Sequence, residues 1–216
     1  MTVLHEPERS PTEDLSTVST VSTVLTVSTV ERIRDAALTC FATRGTAGTS
    51  LRTVASTAGV SLGLVQHHFA TKAGLIKAVD DHVLALVLTA MSQPIPEAAD
   101  SVAEVGGRVA EIIADHTDIA NYVGRALIDG SPLGASIFDA LIGFGTARWN
   151  QRSERGETRP DLDLTWAAVN SLVLAVGTVI LRSHVERHLP EPLTSPAQVQ
   201  RWQTAVNTLL REGLMR

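Results

Sequence analysis

The chain has 216 residues, 44% of them hydrophobic, and a formal net charge of −5. This length and apolar content exclude wholesale disorder and suffice for one or two domains with a buried core. The single cysteine, Cys40, excludes an internal disulfide framework and suits a reducing cytoplasm.

Residues 1–28 form a low-complexity arm that leads into the helical region through STVSTVSTVLTVSTV (residues 16–30), with valine at every third position. That period fits neither a strand nor a strong helical face, so the arm reads as disordered. Its uncharged stretch follows Glu6, Glu8, Glu13 and Asp14, where a secretion signal needs a basic flank; the expected location is the cytoplasm.

From residue 29 onward the pattern is helical. Ser28 and Glu31 make a capping box for a helix over 29–44, with Ile33, Ala37, Cys40 and Phe41 on one face and Gly45 at its end. Thr49 or Ser50 can cap a short second helix carrying Leu51, Val54, Ala55 and Ala58. Gly59 supplies a turn, Ser61 caps a third helix over 62–68, and Thr71 caps a fourth over 72–91. Further helices are expected over 100–116, 118–129, 133–155, 163–188 and 197–214, separated by Gly and Pro breaks. Alternating runs with hairpin signals are missing, so the fold class is all-α, with about nine helices.

Charge is uneven along this string. Residues 31–79 hold six basic groups against Glu31 and Asp35, a local +4, which leaves −9 for the rest. A basic segment on an acidic body suits contact with a polyanion. Two short helices meeting at a glycine form a helix-turn-helix pattern, whose second member fits the major groove. In AGVSLGLVQHHFATK, Val60 and Val65 point back to Leu51, Val54 and Phe41, and the remaining residues cannot all join so small a core. Leu62 and Leu64 can meet thymine methyls, Gln66 can pair with adenine or reach phosphate, and His67 suits a phosphate. Lys72 and the free N–H groups opening the fourth helix offer an anion site. Two plainer roles stay open: the leucines can thicken the local core, and Arg52 can be a solvated surface charge.

At these residues the chain resembles the TetR/AcrR (tetracycline-repressor type) family of bacterial regulators. The resemblance is carried by Phe41, Gly45, Thr49, Val54-Ala55, Ala58-Gly59-Val60-Ser61, Gly63, His68-Phe69, Lys72 and Leu75. It implies DNA contact through Thr49, Arg52, Ser61, Leu62, Gly63, Leu64, Gln66, His67 and Lys72. It also implies a homodimer on a palindromic double-stranded DNA operator, and a divergent body that binds an effector. Leu62, Leu64 and Gln66 depart from the polar, small and aromatic residues common in the family at those positions, which leaves the individual base contacts open.

The body must be read from its own residues. Residues 164–181 lack charge but include Thr165, Asn170, Ser171, Gly177 and Thr178, which suits a buried helix better than a membrane span. Trp166, Val173, Val176 and Ile180, with Trp202, Val206, Leu209 and Leu210, give two apolar stripes fit for a four-helix dimer interface. The alternative is that both stripes feed an intrachain core. His116, Tyr122, Arg125, Trp149 and Asn170 are polar or amphipathic groups stranded among apolar ones, candidates for contacts to a largely apolar small-molecule effector. Gly143 and Gly145 can either kink their helix to open a cavity or allow close helix packing. His184 and His188 are four apart but lack a third ligand and the His-Glu-x-x-His pattern, so no metal is expected. Nucleophile and phosphate-loop signatures are also missing, and neither cofactor nor catalysis is expected.

The expectation is therefore an arm (1–28), a three-helix helix-turn-helix domain (29–75) and a helical ligand-binding and dimerisation domain (76–216). The function expected is that of a ligand-responsive homodimeric repressor. Two rivals stand beside it: a helical small-molecule carrier or enzyme whose helix-turn-helix no longer binds DNA, and an interaction protein working through the valine-threonine arm and the helical bundle.

Overall fold

A computed structural model describes residues 28–96 and 101–214, so the arm falls outside the described residues except for Ser28. The helices are α1 (Thr29–Arg44), α2 (Leu51–Ala58), α3 (Leu62–Phe69), α4 (Lys72–Ser92), α5 (Ser101–Asp115) and α6 (Thr117–Ile128). They continue as α7 (Pro132–Glu154), α8 (Leu164–Ile180), α9 (Arg182–Val185), a 3-10 turn at Glu186–His188, and α10 (Pro196–Leu214). No β-strand occurs among the described residues.

Local chemistry sets most of these boundaries. At α1 the capping box closes in both directions: the Glu31 N–H donates to Ser28 Oγ at 3.2 Å and the Ser28 N–H donates to Glu31 Oε2 at 2.8 Å. The backbone bond from Ser28 holds the Glu31 carboxyl below its usual range. Ser50, Ser61, Thr71 and Ser131 each accept one free N–H at the start of α2, α3, α4 and α7. Gly59 ends α2 in the left-handed conformation, at φ 65°.

The single helix expected over 163–188 is two. α8 stops at Leu181, whose N–H turns back to the carbonyls of Gly177 and Val179, and the chain bends by 70° into α9 and the turn after it. The bend has a partner downstream, because Glu186 Oε1 accepts the Leu193 N–H at 3.0 Å and ties the turn to the approach of α10. With this break the described residues hold ten α-helices, against about nine expected.

One core runs through α1 to α4 and on into α6 and α7. Ile33, Phe41, Val54, Val65, Leu75, Val79 and Val83 are sealed from solvent and lead to Tyr122 and Ile137. Phe41 stacks on Tyr122 with ring centroids 6.3 Å apart. The Tyr122 hydroxyl donates to Asp80 Oδ1 at 2.7 Å, which closes the seam between α4 and α6. Burial raises the Asp80 carboxyl, and burial together with that bond raises the Tyr122 phenol. At the α6–α7 corner a Cβ on Gly134 would overlap the Ala126 carbonyl, so the approach requires glycine. Smaller clusters join α5 to α10 (Ala110, Ile113, Val199) and α7 to α8 (Trp149, Ala167, Ala168).

Among the described residues no single helix is long and apolar enough to cross a membrane.

Candidate nucleic-acid interface and apolar cavity

The side chain that fixes α3 is Val65, fully buried against the α1–α2 pair. Leu62 is half-buried and packs on the same core, so it thickens that core as well as edging the outer face. Leu64 is half-buried without being counted in the core, while Gly63, Gln66, His67 and His68 are exposed. The His67 and His68 rings meet edge to face at 5.2 Å. The outward face of α3 therefore offers one amide, an imidazole pair and the rims of two leucines around a bare backbone at Gly63. A groove wall can approach that glycine closely, since a Cβ there would meet only Ser61 Oγ, at 3.9 Å.

The flanking residues divide. Ser61 is exposed and caps the helix. Arg52 is exposed and makes no ion pair among the described residues. Thr49 is buried at 1% exposure, its hydroxyl directed at the carbonyls of Gly45 (2.9 Å) and Cys40 (3.2 Å), so its side chain serves the α1–α2 turn and does not face outward. Ser50 takes the α2 cap that sequence alone left between the two. Lys72 is half-buried and its Nζ lies 3.4 Å from the Ala47 carbonyl. Several cations of the basic segment are engaged within the fold: Arg32 with the Ala58 carbonyl, Arg44 with Cys40 Sγ, Arg34 with Asp35 and Lys77 with Asp81.

The body holds a half-open cavity of about 170 Å³ walled by α4, α5, α6, α7 and α8. Its walls are apolar, with Val87, Met91, Ile112, Phe144, Leu172 and Val176 among them; the polar exceptions are Arg148 and Ser171. The Ser171 hydroxyl donates to the Ala167 carbonyl at 2.8 Å, while Arg148 Nη2 donates to the Met91 carbonyl at 2.5 Å. Burial depresses the Arg148 guanidinium, and Arg108 and Arg152 add to the effect.

None of the five residues singled out from sequence lines this cavity. His116 is exposed at the entrance to α6, in an open cleft it shares with Arg34 and His82. Tyr122 is committed to Asp80, and Arg125 donates to the carbonyls of Ala42 and Thr43 at the end of α1. Trp149 packs on Ala167 and Ala168 beneath the Arg152 guanidinium, and Asn170 is exposed. Arg148 is the charged lining residue that sequence reasoning missed. The signal was its spacing, since it stands four residues after Phe144 and seven after Leu141, on one helical face. α7 runs unbroken past Gly143 and Gly145, and a Cβ on Gly145 would come within 3.3 Å of the Ala168 Cβ, which is close packing and not a break.

The stripes expected at an interface also divide. Trp166 (61% exposed), Val173 and Leu209 lie open to solvent, with Ile180, Val206 and Leu210 half-buried. Trp166, Val173 and Ile180 are spaced by seven and share one face of α8. Val176 turns into the cavity instead, and Trp202 turns inward, its Nε1 donating to Thr178 Oγ1 at 2.9 Å.

Residues 33–79 match the model of the family described as bacterial regulatory proteins, tetR family. The chain is 30% identical to the HTH-type transcriptional regulatory protein RaaS of Mycobacterium tuberculosis, over 61% of this chain and 60% of that protein. It is 36% identical to the HTH-type transcriptional repressor Rv3405c of the same species, over 47% of this chain and 48% of that protein. The matched region thus spans less than two thirds of either relative's length. In architecture the chain is similar to the ketosteroid transcriptional regulator KstR2 of Mycobacterium tuberculosis, with a TM-score of 0.69 and 20% identity over 88% of this chain and 97% of that one.

Proposed function

We propose that this chain, a member of the tetR family of bacterial regulatory proteins through its residues 33–79, is a sequence-specific, ligand-responsive repressor of transcription. The observation that carries the reading is the two-sided α3: Val65 anchors it inward while Gly63, Gln66 and His67 stand exposed beyond the Ser61 cap. In this reading Gln66 and the rims of Leu62 and Leu64 meet base edges. His67, Arg52, Lys72 and the opening N–H groups of α4 meet phosphate. Residues 29–75 act as the reading head and 76–216 as the sensing and pairing body.

A second copy of the chain pairs through the Trp166–Val173–Ile180 face of α8 and the Leu209 side of α10. A twofold pair sets two reading heads on successive major grooves, roughly 34–36 Å apart, on an approximately palindromic site. α4 couples the two halves, because Lys72 opens it beside the head and Val87 and Met91 line the cavity near its other end. A ligand that favours the arrangement with heads misplaced releases the DNA; a hundredfold loss of DNA affinity requires about 2.7 kcal/mol of differential binding.

The test is selection of random DNA on the purified protein, followed by anisotropy titration of the recovered site at several salt concentrations. Gln66→Ala is expected to relax specificity at one position of the site. Lys72→Ala is expected to weaken all sequences alike and to reduce the salt slope by about 1. Recovery of no site, at low as well as moderate salt, would overturn the proposal.

A further inference from the structure

Arg148 is the one charged residue in the wall of an otherwise apolar chamber. It is half-buried on α7 and, among the described residues, oriented by one bond, from Nη2 to the Met91 carbonyl. That carbonyl also receives Arg108, which lies at 3.5 Å and is held by the Gln93 and Pro94 carbonyls. Two guanidinium groups therefore converge on the C-terminal end of α4, and no carboxylate pairs with Arg148 among the described residues. A guanidinium offers five N–H donors in a planar fork, so most of Arg148's capacity has no acceptor among the described residues.

A half-buried cation without a counter-ion is costly unless something supplies the missing charge. Nothing else polar in the wall competes for the role, since the Ser171 hydrogen is spent on its own helix. The surrounding walls of valine, leucine, isoleucine and phenylalanine exclude a strongly hydrated inorganic ion and favour an apolar body.

We infer that the cavity takes an amphipathic carboxylate: an acid whose hydrocarbon body lies between α5, α6 and α8 and whose carboxylate meets the free edge of Arg148. Planar carboxylate and planar guanidinium match in bidentate fashion, which fixes the direction of entry as well as the charge. Cationic amphiphiles are repelled by the same group. This inference rests on the reading of the cavity as the effector site and names the chemistry of that effector.

The experiment measures direct binding by calorimetry, without DNA, so that it stands apart from the operator titration. Full-length protein is titrated with decanoate, decanol and decyltrimethylammonium, which share a tail and differ in head charge. Decanoate is expected to bind at least about tenfold more tightly than decanol, and decyltrimethylammonium most weakly. In Arg148→Met the preference of decanoate over decanol is expected to vanish. Retained decanol binding in that variant reports an intact cavity, and Arg148→Lys is expected to restore part of the preference. Decanoate binding no tighter than decanol, including failure of both to bind, overturns the inference. A preference that survives undiminished in Arg148→Met overturns it equally. DNA binding measured separately then shows whether the regulator reading stands without it.

Discussion

The two ends of α4 differ sharply in their surroundings. Over its first turns Leu75 and Val79 are sealed against Ile33, Phe41, Val54 and Val65; over its last turns Val87 and Met91 border an apolar void. In α8, beyond that void, only Ala167 and Ala168 are buried, although the helix is apolar almost throughout. Close packing makes the head a rigid object, able to hold α3 in one orientation against a groove. Loose packing leaves the body room for a guest and leaves apolar area uncovered by its own chain. Rigidity and room are thus placed at opposite ends of one helix.

Mutation can break that contrast, and the largest effect is expected in the head. Phe41→Ala should cost about 3–5 kcal/mol of stability in urea titrations, because it empties a sealed position and removes the stack on Tyr122. A smaller loss with an unchanged core would show that the head is not tightly packed. A matched pair sharpens the point. Ala37→Leu, at a position with 0% exposure, should cost about 1–3 kcal/mol through overpacking. Ala175→Leu fills the cavity instead and should gain about 0.5–2 kcal/mol while blocking decanoate. Equal effects at the two alanines would erase the distinction.

The Tyr122–Asp80 seam between α4 and α6 gives a pH signature. The phenol is raised in the folded protein, so its contribution is fully present below the unfolded value near pH 10 and is lost as pH climbs above it. Stability should therefore fall by up to about 1.4 kcal/mol per pH unit above about pH 10, and Tyr122→Phe should flatten that slope. Tyr122 is the sole tyrosine of the chain, so tyrosinate absorbance reads the event directly. Tyrosinate forming near pH 10 while the protein remains folded would contradict the seam. The smallest effect is expected from Ser61→Ala, about 1 kcal/mol for loss of the α3 cap, detectable as a shifted urea midpoint.

Legibility in the sequence follows how local the determining chemistry is. The start of α1 was readable because both halves of its capping box lie within four residues, and α3 because Gly59 and Ser61 bracket its entry. Thr49 and Ser50 were both plausible caps, and only the packing of the α1–α2 turn, which draws Thr49 inward, separates them. The bend at Leu181 carries no Gly or Pro and is tied to Leu193 through Glu186, a contact that periodicity does not register. Tyr122 and Arg125 stand out as polar residues, yet their partners are 42 and 83 positions away, so their bracing role was hidden. Conversely, valines and alanines that line a void have the same pattern as those that fill a core. Val176 on the expected dimer stripe is the clearest instance.

Arg125 carries one more consequence. The carbonyls closing α1 at Ala42 and Thr43 receive their donors from α6, a helix of the other half of the molecule. Grafting residues 29–75 onto a foreign partner would hand those two oxygens to water or to a donor of the recipient. A chimaera would need a replacement guanidinium in the recipient before its transplanted α1 could close as it does here.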